Sequence, residues 1–365
     1  MNRIQQIFTD HGDAYLAHYK TTMPAIHRKV LAAIRACRTG ACGHHVFACP
    51  DCGQQHVAHS SCGNRHCPLC QHDKGSMWVY QQQCRLLPCN YFFATFTLPE
   101  ALRMVARSHQ RVMYKALFDG AAESLRTLTA DPRFVGCNET GFFGVLHTWT
   151  RQLAYHPHVH FIIPGGGLSV DRTRWISARG NFLVHVKALS RMFRGKIKAA
   201  LREADLLDDV PPEVWQKEWV VHCKSVGDGR HSLKYLGAYI FRVAISDARI
   251  VSYDGQHVVF KYQKVGSSRW RTLKVSAFEF IRRYLQHVLP HGFMKVRHYG
   301  FLPHNFRVPL QRIRELICVL YETLRNQLPK VRMPQKKKPL RCRQCHQPMH
   351  WLMFIPPSRK PTAPT

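Results

Sequence analysis

The stretch 153-LAYHPHVHFIIPGGG-167 places histidines at alternating positions ahead of an apolar run and a glycine triplet. Successive side chains of a β-strand point to opposite faces, so His158 and His160 share one face and the valine between them lies on the other. Two imidazoles on one strand face can bind one cation, and His156 continues that face. The apolar residues 161–163 are typical of a strand buried at the centre of a sheet. The stretch therefore predicts a central strand that carries a metal site.

A third ligand is needed to hold such an ion. The run 141-GFFGVLHTWT-150 is predicted to be the other strand of a hairpin and offers His147, while Gln152 in the turn is the alternative. The second histidine is not followed by the acid and further histidine usual in a zinc hydrolase. Imidazoles with open coordination positions instead suit Mg²⁺ or Mn²⁺ that polarises a phosphate oxygen, and Mn²⁺ accepts mixed nitrogen and oxygen ligands better. We expect His147 to complete the site.

Two tyrosines lie four residues apart in a predicted helix over residues 232–244. At this spacing Tyr235 and Tyr239 share one helix face. Helix packing is the usual role of such a pair, but Lys234 and Arg242 bring positive charge close by. A phenol with a pKa near 10 becomes a useful nucleophile when cations or a metal favour the phenolate. The two tyrosines are therefore candidate nucleophiles toward a phosphodiester, and Lys234 and Arg242 are candidate DNA contacts.

The chain is strongly basic, with 53 Lys+Arg against 22 Asp+Glu and a formal net charge of +31 over 365 residues. Such a charge opposes compactness unless an anionic polymer is nearby, which indicates a nucleic-acid partner and salt-dependent binding. The sequence lacks a GxxxxGK[ST] phosphate-binding loop, so strand separation is expected to come from a host helicase. The N-terminus is polar and no apolar run approaches the ~20 residues of a membrane span, which favours a cytoplasmic location.

The 14 cysteines of a chain in a reducing compartment are expected to be metal ligands rather than disulfides. Within 49-CPDCGQQHVAHSSCGNRHCPLC-70, each CxxC turn aims two thiolates at one cation. The sequence predicts one structural zinc site with four ligands, which are Cys49, Cys52, Cys67 and Cys70.

Further ligands allow more zinc. A second ion would take Cys62 and His66 with some of Cys37, Cys42, His44 and His45. A third would use Cys342 and Cys345 with His346 and His350, although a single CxxC is a weak signal. Basic side chains around these turns, with Arg65 foremost, are expected to contact DNA.

The remaining elements follow from periodicity and turn residues. Helices are expected over 14–36, 99–128 (broken near Gly120), 186–207, 276–288 and 309–328. Strands are expected over 91–98, 156–163 and 219–226, with a hairpin over 249–263.

Three stretches together resemble the IS91-like rolling-circle insertion-sequence transposases, which carry two catalytic tyrosines and an HUH motif (His, bulky apolar, His). They are SCGNRHCPLCQ (61–71), LHTWTRQLAYHPHVHFIIPGGGLS (146–169) and LKYLGAYIFRVAIS (233–246). The stretch FIRRYLQHVLPHGFMKVRHYGFL (280–302) is also similar to the C-terminal part of that family. The resemblance covers residues 37–302.

The resemblance implies an α+β fold: an HUH endonuclease core of antiparallel sheet and flanking helices, a small N-terminal zinc-binding module, and a helical and basic C-terminal part. The expected segments are 1–89 (N-terminal helix and zinc-binding module), 90–250 (nuclease core), 251–330 (hairpin and helices) and 331–365 (basic tail with a CxxC).

It also implies a function. His158 and His160 would bind the catalytic Mg²⁺ or Mn²⁺, and zinc would be structural. Tyr235 and Tyr239 would attack single-stranded DNA at the element ends and target, leaving a 5′-phosphotyrosine and a free 3′-hydroxyl. The protein would act in the bacterial nucleoid with host helicase and replication factors.

Two alternatives stay open. A plasmid-type replication initiator or relaxase would use the same chemistry, but the N-terminal zinc module and tyrosines placed after the histidines favour a transposase. A non-catalytic zinc-finger DNA-binding protein would explain the charge and the cysteines. It would leave the histidine and tyrosine pairs unexplained, and it predicts that replacing both tyrosines with phenylalanine leaves function intact.

Overall fold

The computed structural model describes residues 2–240, 244–264, 266–320, 331, 333–334 and 339–357, without the side chains of residues 72, 238 and 239. Its helices are α1 (Arg3–His18), α2 (Ala25–Ala36), α3 (His72–Cys84), α4 (Arg103–Ser108), α5 (Gln110–Ala130), α6 (Val186–Glu203), α7 (Arg230–Ile240), α8 (Ala277–Leu285) and α9 (Leu310–Leu320). Its strands are β1 (His44–Ala48), β2 (Gln55–His59), β3 (Tyr91–Thr97), β4 (Phe142–Trp149), β5 (Tyr155–Pro164), β6 (Gly166–Leu168), β7 (Trp175–Ser177), β8 (Val221–Ser225), β9 (Ile250–Tyr253), β10 (His257–Gln263), β11 (Trp270–Ser276), β12 (Val296–Tyr299) and β13 (His350–Ile355).

The chain divides into two compact units, each built from separate stretches of sequence. The first unit comprises Met1–Ser76, Phe241–Val288 and Met333–Thr365, and the second comprises Met77–Ile240 and Leu289–Arg332. The four consecutive segments expected from the sequence therefore do not coincide with these bounds. Antiparallel sheets with flanking helices confirm the predicted α+β class.

A five-stranded antiparallel sheet forms the centre of the second unit, in the order β12-β4-β5-β3-β8. Strand β5 is the middle strand and is buried from Val159 to Pro164, which confirms the predicted central strand. The predicted hairpin is β4 and β5, with His147 opposite His158. On the other side of β5, His160 lies opposite Thr95 of β3.

One face of this sheet packs against α5 and α6. Phe96 and Phe161 of the sheet contact each other edge to face at 5.8 Å, and Phe193 of α6 lies 5.1 Å from Phe96. The predicted break at Gly120 is wrong: Gly120 lies inside α5, where α6 comes so close that an added Cβ would lie 3.2 Å from the Cβ of Lys196. The helix is interrupted instead at His109, whose ψ of 51° departs from helical geometry.

The first unit combines helices α1, α2 and α8 with two three-stranded sheets, β13-β1-β2 and β11-β10-β9. Phe8 of α1 packs edge to face on Tyr284 of α8, with ring centroids 5.2 Å apart. The buried Gln5 amide donates to the carbonyl of Cys37 over 2.7 Å, which fixes α1 against the end of α2. The helices thereby hold the segment that carries the first cysteine.

The C-terminal stretch is more than a basic tail. Strand β13 pairs antiparallel with β1, with His44 opposite Ile355 and Ala48 opposite His350. The last described strand of the chain thus completes a sheet that begins near residue 44.

Candidate functional site

Three histidines meet on the face of the central sheet opposite α5 and α6. His158 and His160 come from β5 and His147 comes from β4, and one ring nitrogen from each lies within 4.8 Å of the others. The strand alternation and the hairpin register produce this convergence, as the sequence predicts. Gln152, the alternative third residue, lies in the exposed turn between the two strands and is outside the group.

Hydrogen bonds orient two of these rings. The Nδ1 of His158 lies 2.7 Å from the carbonyl oxygen of His156, so Nδ1 carries the proton and donates it. The Nδ1 of His160 lies 2.8 Å from the hydroxyl of Thr95. A ring whose Nδ1–H is bonded in this way keeps an unprotonated Nε2 for a metal. Sequence reasoning missed Thr95, because its place opposite His160 depends on the pairing of β3 with β5, which are far apart in the sequence.

Burial keeps all three imidazoles neutral. It lowers the pKa of His158 to about 4, and it lowers the pKa of His147 and of His160 well below the usual value. The mutual repulsion of the protonated rings adds to this effect for His147 and His160. Neutral imidazoles are the form that ligates metals, so the trio is ready to bind a divalent ion at neutral pH. Three nitrogen donors with open positions suit Mn²⁺ better than Mg²⁺.

Helix α7 brings Tyr235 to the same place. Its ring lies 6.3 Å from the ring of His160 at an interplanar angle of 80°, and 6.3 Å from the ring of Phe93. Leu233 and Leu236 bury the opposite side of the helix in the apolar cluster below, so 46% of Tyr235 stays exposed. The nucleophile predicted from the sequence therefore lies beside the histidines and is open to a substrate.

A glycine sets the position of α7. Gly237 packs so tightly on α3 that an added Cβ would lie 2.0 Å from the Cγ2 of Val79. No sequence signal marked Gly237, because the contact depends on how two helices meet.

The other residues predicted around the tyrosines are only partly described. Lys234 is exposed on α7. Tyr239 belongs to α7 by its backbone, one turn beyond Tyr235, but its side chain is outside the described residues, and so is all of Arg242.

A cation near the histidines was not predicted as a site residue. The ammonium of Lys295 lies 4.7 Å from the ring centroid of Trp149, and Trp149 stacks on His147 at 5.1 Å. Lys295 also contributes to the lowered pKa of His147. It belongs to the mixed basic and aromatic stretch 295–301, a composition that could have drawn attention to it.

The cysteines do not form the predicted single site. Cys49 and Cys52 converge with Cys342 and Cys345, whereas Cys67 and Cys70 converge with Cys37 and Cys62. In each cluster the four sulfurs lie within 4.8 Å of one another. The predicted pairing of the two nearest CxxC turns is therefore wrong, because each turn finds its partner in a different part of the fold.

His66 is outside both clusters, contrary to prediction. It is buried, its backbone N–H donates to the Asn64 side chain over 2.9 Å, and its carbonyl accepts from Tyr284 over 2.8 Å. Cys62 and Cys37, both offered for the second site, are in the cluster, and Cys67 and Cys70 complete it in place of His66. Arg65 next to it is exposed.

Known proteins similar to this chain are transposases. A family described as "Transposase zinc-binding domain" matches residues 7–98, and a family described as "Putative transposase" matches residues 141–309. "Putative transposase y4qJ" of Sinorhizobium fredii is 40% identical over 335 residues, which is 86% of this chain and 84% of that protein. "Transposase for insertion sequence element IS801" of Pseudomonas savastanoi pv. phaseolicola is 29% identical over 288 residues, 73% of this chain and 68% of that protein.

No solved structure matches the chain. Among the described residues, none of the helices combines the length and apolarity that a bilayer crossing requires.

Proposed function

Because this chain belongs to the transposase family that carries an IS91-type zinc-binding domain, we propose that it nicks and rejoins single-stranded DNA through phosphotyrosine intermediates. The observation that carries the proposal is the meeting of three neutral imidazoles and one exposed tyrosine on one sheet face. Tyr235 lies 6.3 Å from His160, close enough for both to act on one phosphate.

His147, His158 and His160 hold the divalent ion in this proposal. When bound, the ion withdraws charge from a phosphate oxygen and stabilises the transition state. The chain's own residues do the rest. Thr95 and the His156 carbonyl hold two of the rings in place, and Lys295 adds positive charge near the phosphodiester.

The covalent step is a displacement at phosphorus. The phenolate oxygen of Tyr235 attacks, a P–O bond forms, and the P–O bond to the 3′-oxygen breaks. The phenol releases one proton to water and the departing 3′-oxygen takes one up, so charge and atoms balance. The 5′-phosphotyrosine keeps the energy of the broken bond, and a 3′-hydroxyl can attack it later to rejoin strands.

Tyr239 supplies the second nucleophile. One helical turn separates it from Tyr235, a rise of ~6 Å along the axis. Two tyrosines on one helix let the protein hold two cut strands together, which the exchange of an element between DNA sites requires.

The net charge of +31 supports binding of the substrate. Arg65, Lys234 and Arg242 are proposed to contact the phosphate backbone of single-stranded DNA, with strand separation supplied by a host helicase. Zinc has a structural role: Cys37, Cys62, Cys67 and Cys70, all inside the matched zinc-binding domain, fill a tetrahedral shell and leave no position for water.

The deciding experiment is an adduct assay. The protein is mixed with Mn²⁺ and labelled single strands from the DNA that flanks its gene, and the products are separated under denaturing conditions. We expect a covalent band that Tyr235→Phe/Tyr239→Phe abolishes. The control Tyr253→Phe alters a tyrosine of the first unit that bonds to Asp10, and it should leave the band unchanged.

The single variants Tyr235→Phe and Tyr239→Phe, in the same adduct assay, assign the roles of the two tyrosines.

If strands bind well but no adduct forms with Mn²⁺ or Mg²⁺, the nuclease proposal is wrong. A non-catalytic zinc DNA-binding protein then explains the chain better.

A further inference from the structure

Four cysteines from the two ends of the chain come together in the first unit. Cys49 and Cys52 belong to the turn between β1 and β2, and Cys342 and Cys345 precede β13. The second pair lies outside the matched ranges 7–98 and 141–309, so neither family match covers this cluster as a whole. The cluster also has no part in the proposed nicking chemistry.

The two CxxC turns have the same backbone geometry. In the first, the Cys49 N–H donates to the Gln54 carbonyl over 2.9 Å, and the Gly53 N–H donates back to the Cys49 carbonyl over 3.1 Å. In the second, the Cys342 N–H donates to the Gln347 carbonyl over 2.8 Å, and the His346 N–H donates back to the Cys342 carbonyl over 3.1 Å. Two turns folded alike and facing each other form the two halves of a tetrahedral thiolate site.

The residue after the second cysteine of each turn repeats the likeness. Gly53 has φ 72° and His346 has φ 60°. The left-handed region is natural for glycine but costs free energy for histidine. The two turns therefore share their backbone conformation through the residue that follows the second cysteine.

The distances between the sulfur atoms also fit a tetrahedral zinc site. The Sγ atoms of Cys49 and Cys345 lie 3.3 Å apart, and the Sγ atom of Cys52 lies 3.6 Å from those of Cys342 and Cys345. Zn–S bonds of ~2.3 Å at tetrahedral angles place sulfurs roughly 3.8 Å apart. A disulfide would require about 2.05 Å and could join only two of the four.

Residues around the cluster that are not metal ligands also hold its two halves together. Strand β13 pairs with β1 beside the cluster, and the Met349 N–H donates to the Leu340 carbonyl over 2.8 Å. Cys49, Cys342 and Met349 are buried in a small apolar cluster with Phe47 and Leu340. So small an apolar cluster stabilises little by itself, as is usual in domains that a metal holds folded.

We infer that Cys49, Cys52, Cys342 and Cys345 bind a second structural zinc ion, which fastens the C-terminal strand β13 to the N-terminal sheet. The zinc-binding part of the protein is therefore built from both ends of the chain. All four positions are filled by thiolates, so this ion activates no water and its role is to hold β13 in place.

The test is the zinc content of the full chain, purified with a reducing agent and free of DNA. We expect two zinc ions per chain, and one in Cys342→Ser/Cys345→Ser. The matched control Cys84→Ser/Cys318→Ser removes two cysteines outside both clusters and should retain two. Cys345→His, which keeps a zinc ligand, should also retain two.

A second measurement does not depend on the yield of zinc. Trypsin can cut after Arg341 and Arg343 once the second turn opens. We expect these cuts, read by mass spectrometry, to be about tenfold faster in Cys342→Ser/Cys345→Ser than in the wild type or the control pair.

The outcomes separate this inference from the zinc site proposed for Cys37, Cys62, Cys67 and Cys70. Two zinc ions in Cys342→Ser/Cys345→Ser, with unchanged trypsin cleavage, would overturn the inference. One zinc in the wild type that persists in this variant would also overturn it. One zinc in the wild type that the variant loses would support the inference and instead overturn the zinc site of the other cluster.

Discussion

The histidine trio of the second unit and the cysteine clusters of the first unit assemble their ligands over very different distances along the chain. His147 and His158 face each other across a single hairpin, whose register is fixed by a short turn and by the alternation of its strands. The Sγ atoms of Cys49 and Cys345 lie 3.3 Å apart although the two residues are 296 positions apart in the sequence. A hairpin determines both members of a ligand pair, whereas a CxxC turn determines only half of a site.

The same contrast extends to chemistry. The histidines are neutral donors with coordination positions left for a substrate, and they lie beside a tyrosine. In our proposals each cysteine cluster surrounds its zinc ion completely, and the ion serves only to hold segments of the chain together. Substitution of a histidine of the trio should abolish the reaction without unfolding the protein. Substitution of a cysteine of a cluster should instead lower the stability of the fold.

The largest expected effect is that of His158→Ala on adduct formation. Loss of a ligand removes metal stabilisation of the transition state, worth several kcal/mol, so the rate with Mn²⁺ should fall about a thousandfold or more. Zinc content should not change. The measurement is the rate of covalent band formation together with metal analysis of the same sample.

The control for this variant is His222→Ala. His222 is exposed on β8 opposite Thr95, next to the site but outside the trio, and its loss should alter the rate little. If His158→Ala and His222→Ala lower the adduct rate equally, or if His158→Ala loses zinc, then the histidine trio and the cysteine clusters do not have the separate roles described above.

Cys37→Ser should show the opposite behaviour. Cys37 belongs to the cluster with Cys62, Cys67 and Cys70, whereas nearby Cys42 directs its thiol to the Ala36 carbonyl at 3.2 Å. We expect Cys37→Ser to lose one zinc per chain and to lower the free energy of unfolding by about 3 kcal/mol or more. The Cys42→Ser variant should retain the same zinc content as the wild type, and its free energy of unfolding should change by about 1 kcal/mol or less.

Zinc analysis and urea unfolding of the two serine variants decide the matter. The sequence offered Cys37 and Cys42 equally as ligands, so zinc loss in Cys42→Ser instead of Cys37→Ser would reverse the assignment.

These contrasts explain which features could be predicted. The central strand, its hairpin with His147, and Tyr235 on a helix all follow from periodicity over short stretches. The prediction of which cysteines share a site failed because a CxxC turn can complete a site equally well with either of two partners. The actual partner is decided by where α1, α2 and β13 lie in the fold. Sequence proximity made the wrong pair of turns attractive, since the true partner of Cys49 follows residue 340.

Thr95 and Gly237 mark the same limit within the histidine site. The type and direction of the ligands were visible in the sequence. The groups that orient and position them come from β3 and α3, and only the assembled sheet and helices show that they matter.

The smallest expected effect is that of Gly237→Ala on the adduct rate. It tests whether the contact between α7 and α3 positions Tyr235. An added Cβ would lie 2.0 Å from the Cγ2 of Val79, so α7 must move away from α3 and displace Tyr235. Since a misplacement of ~1 Å at a reacting group can cost up to a hundredfold, we expect the adduct rate to fall about tenfold. Zinc content should be unchanged, because both cysteine clusters lie in the first unit.

Two further variants separate this displacement from the general effect of alanine in a helix. Gly195 of α6 has open space where a Cβ would be added, so Gly195→Ala should raise the free energy of unfolding by up to about 1 kcal/mol and leave the adduct rate unchanged. In Gly237→Ala/Val79→Ala the contacting methyl group is gone and the rate should return toward that of the wild type. A rate that stays low in the double variant would mean that Gly237 acts through backbone freedom rather than through its close contact with α3.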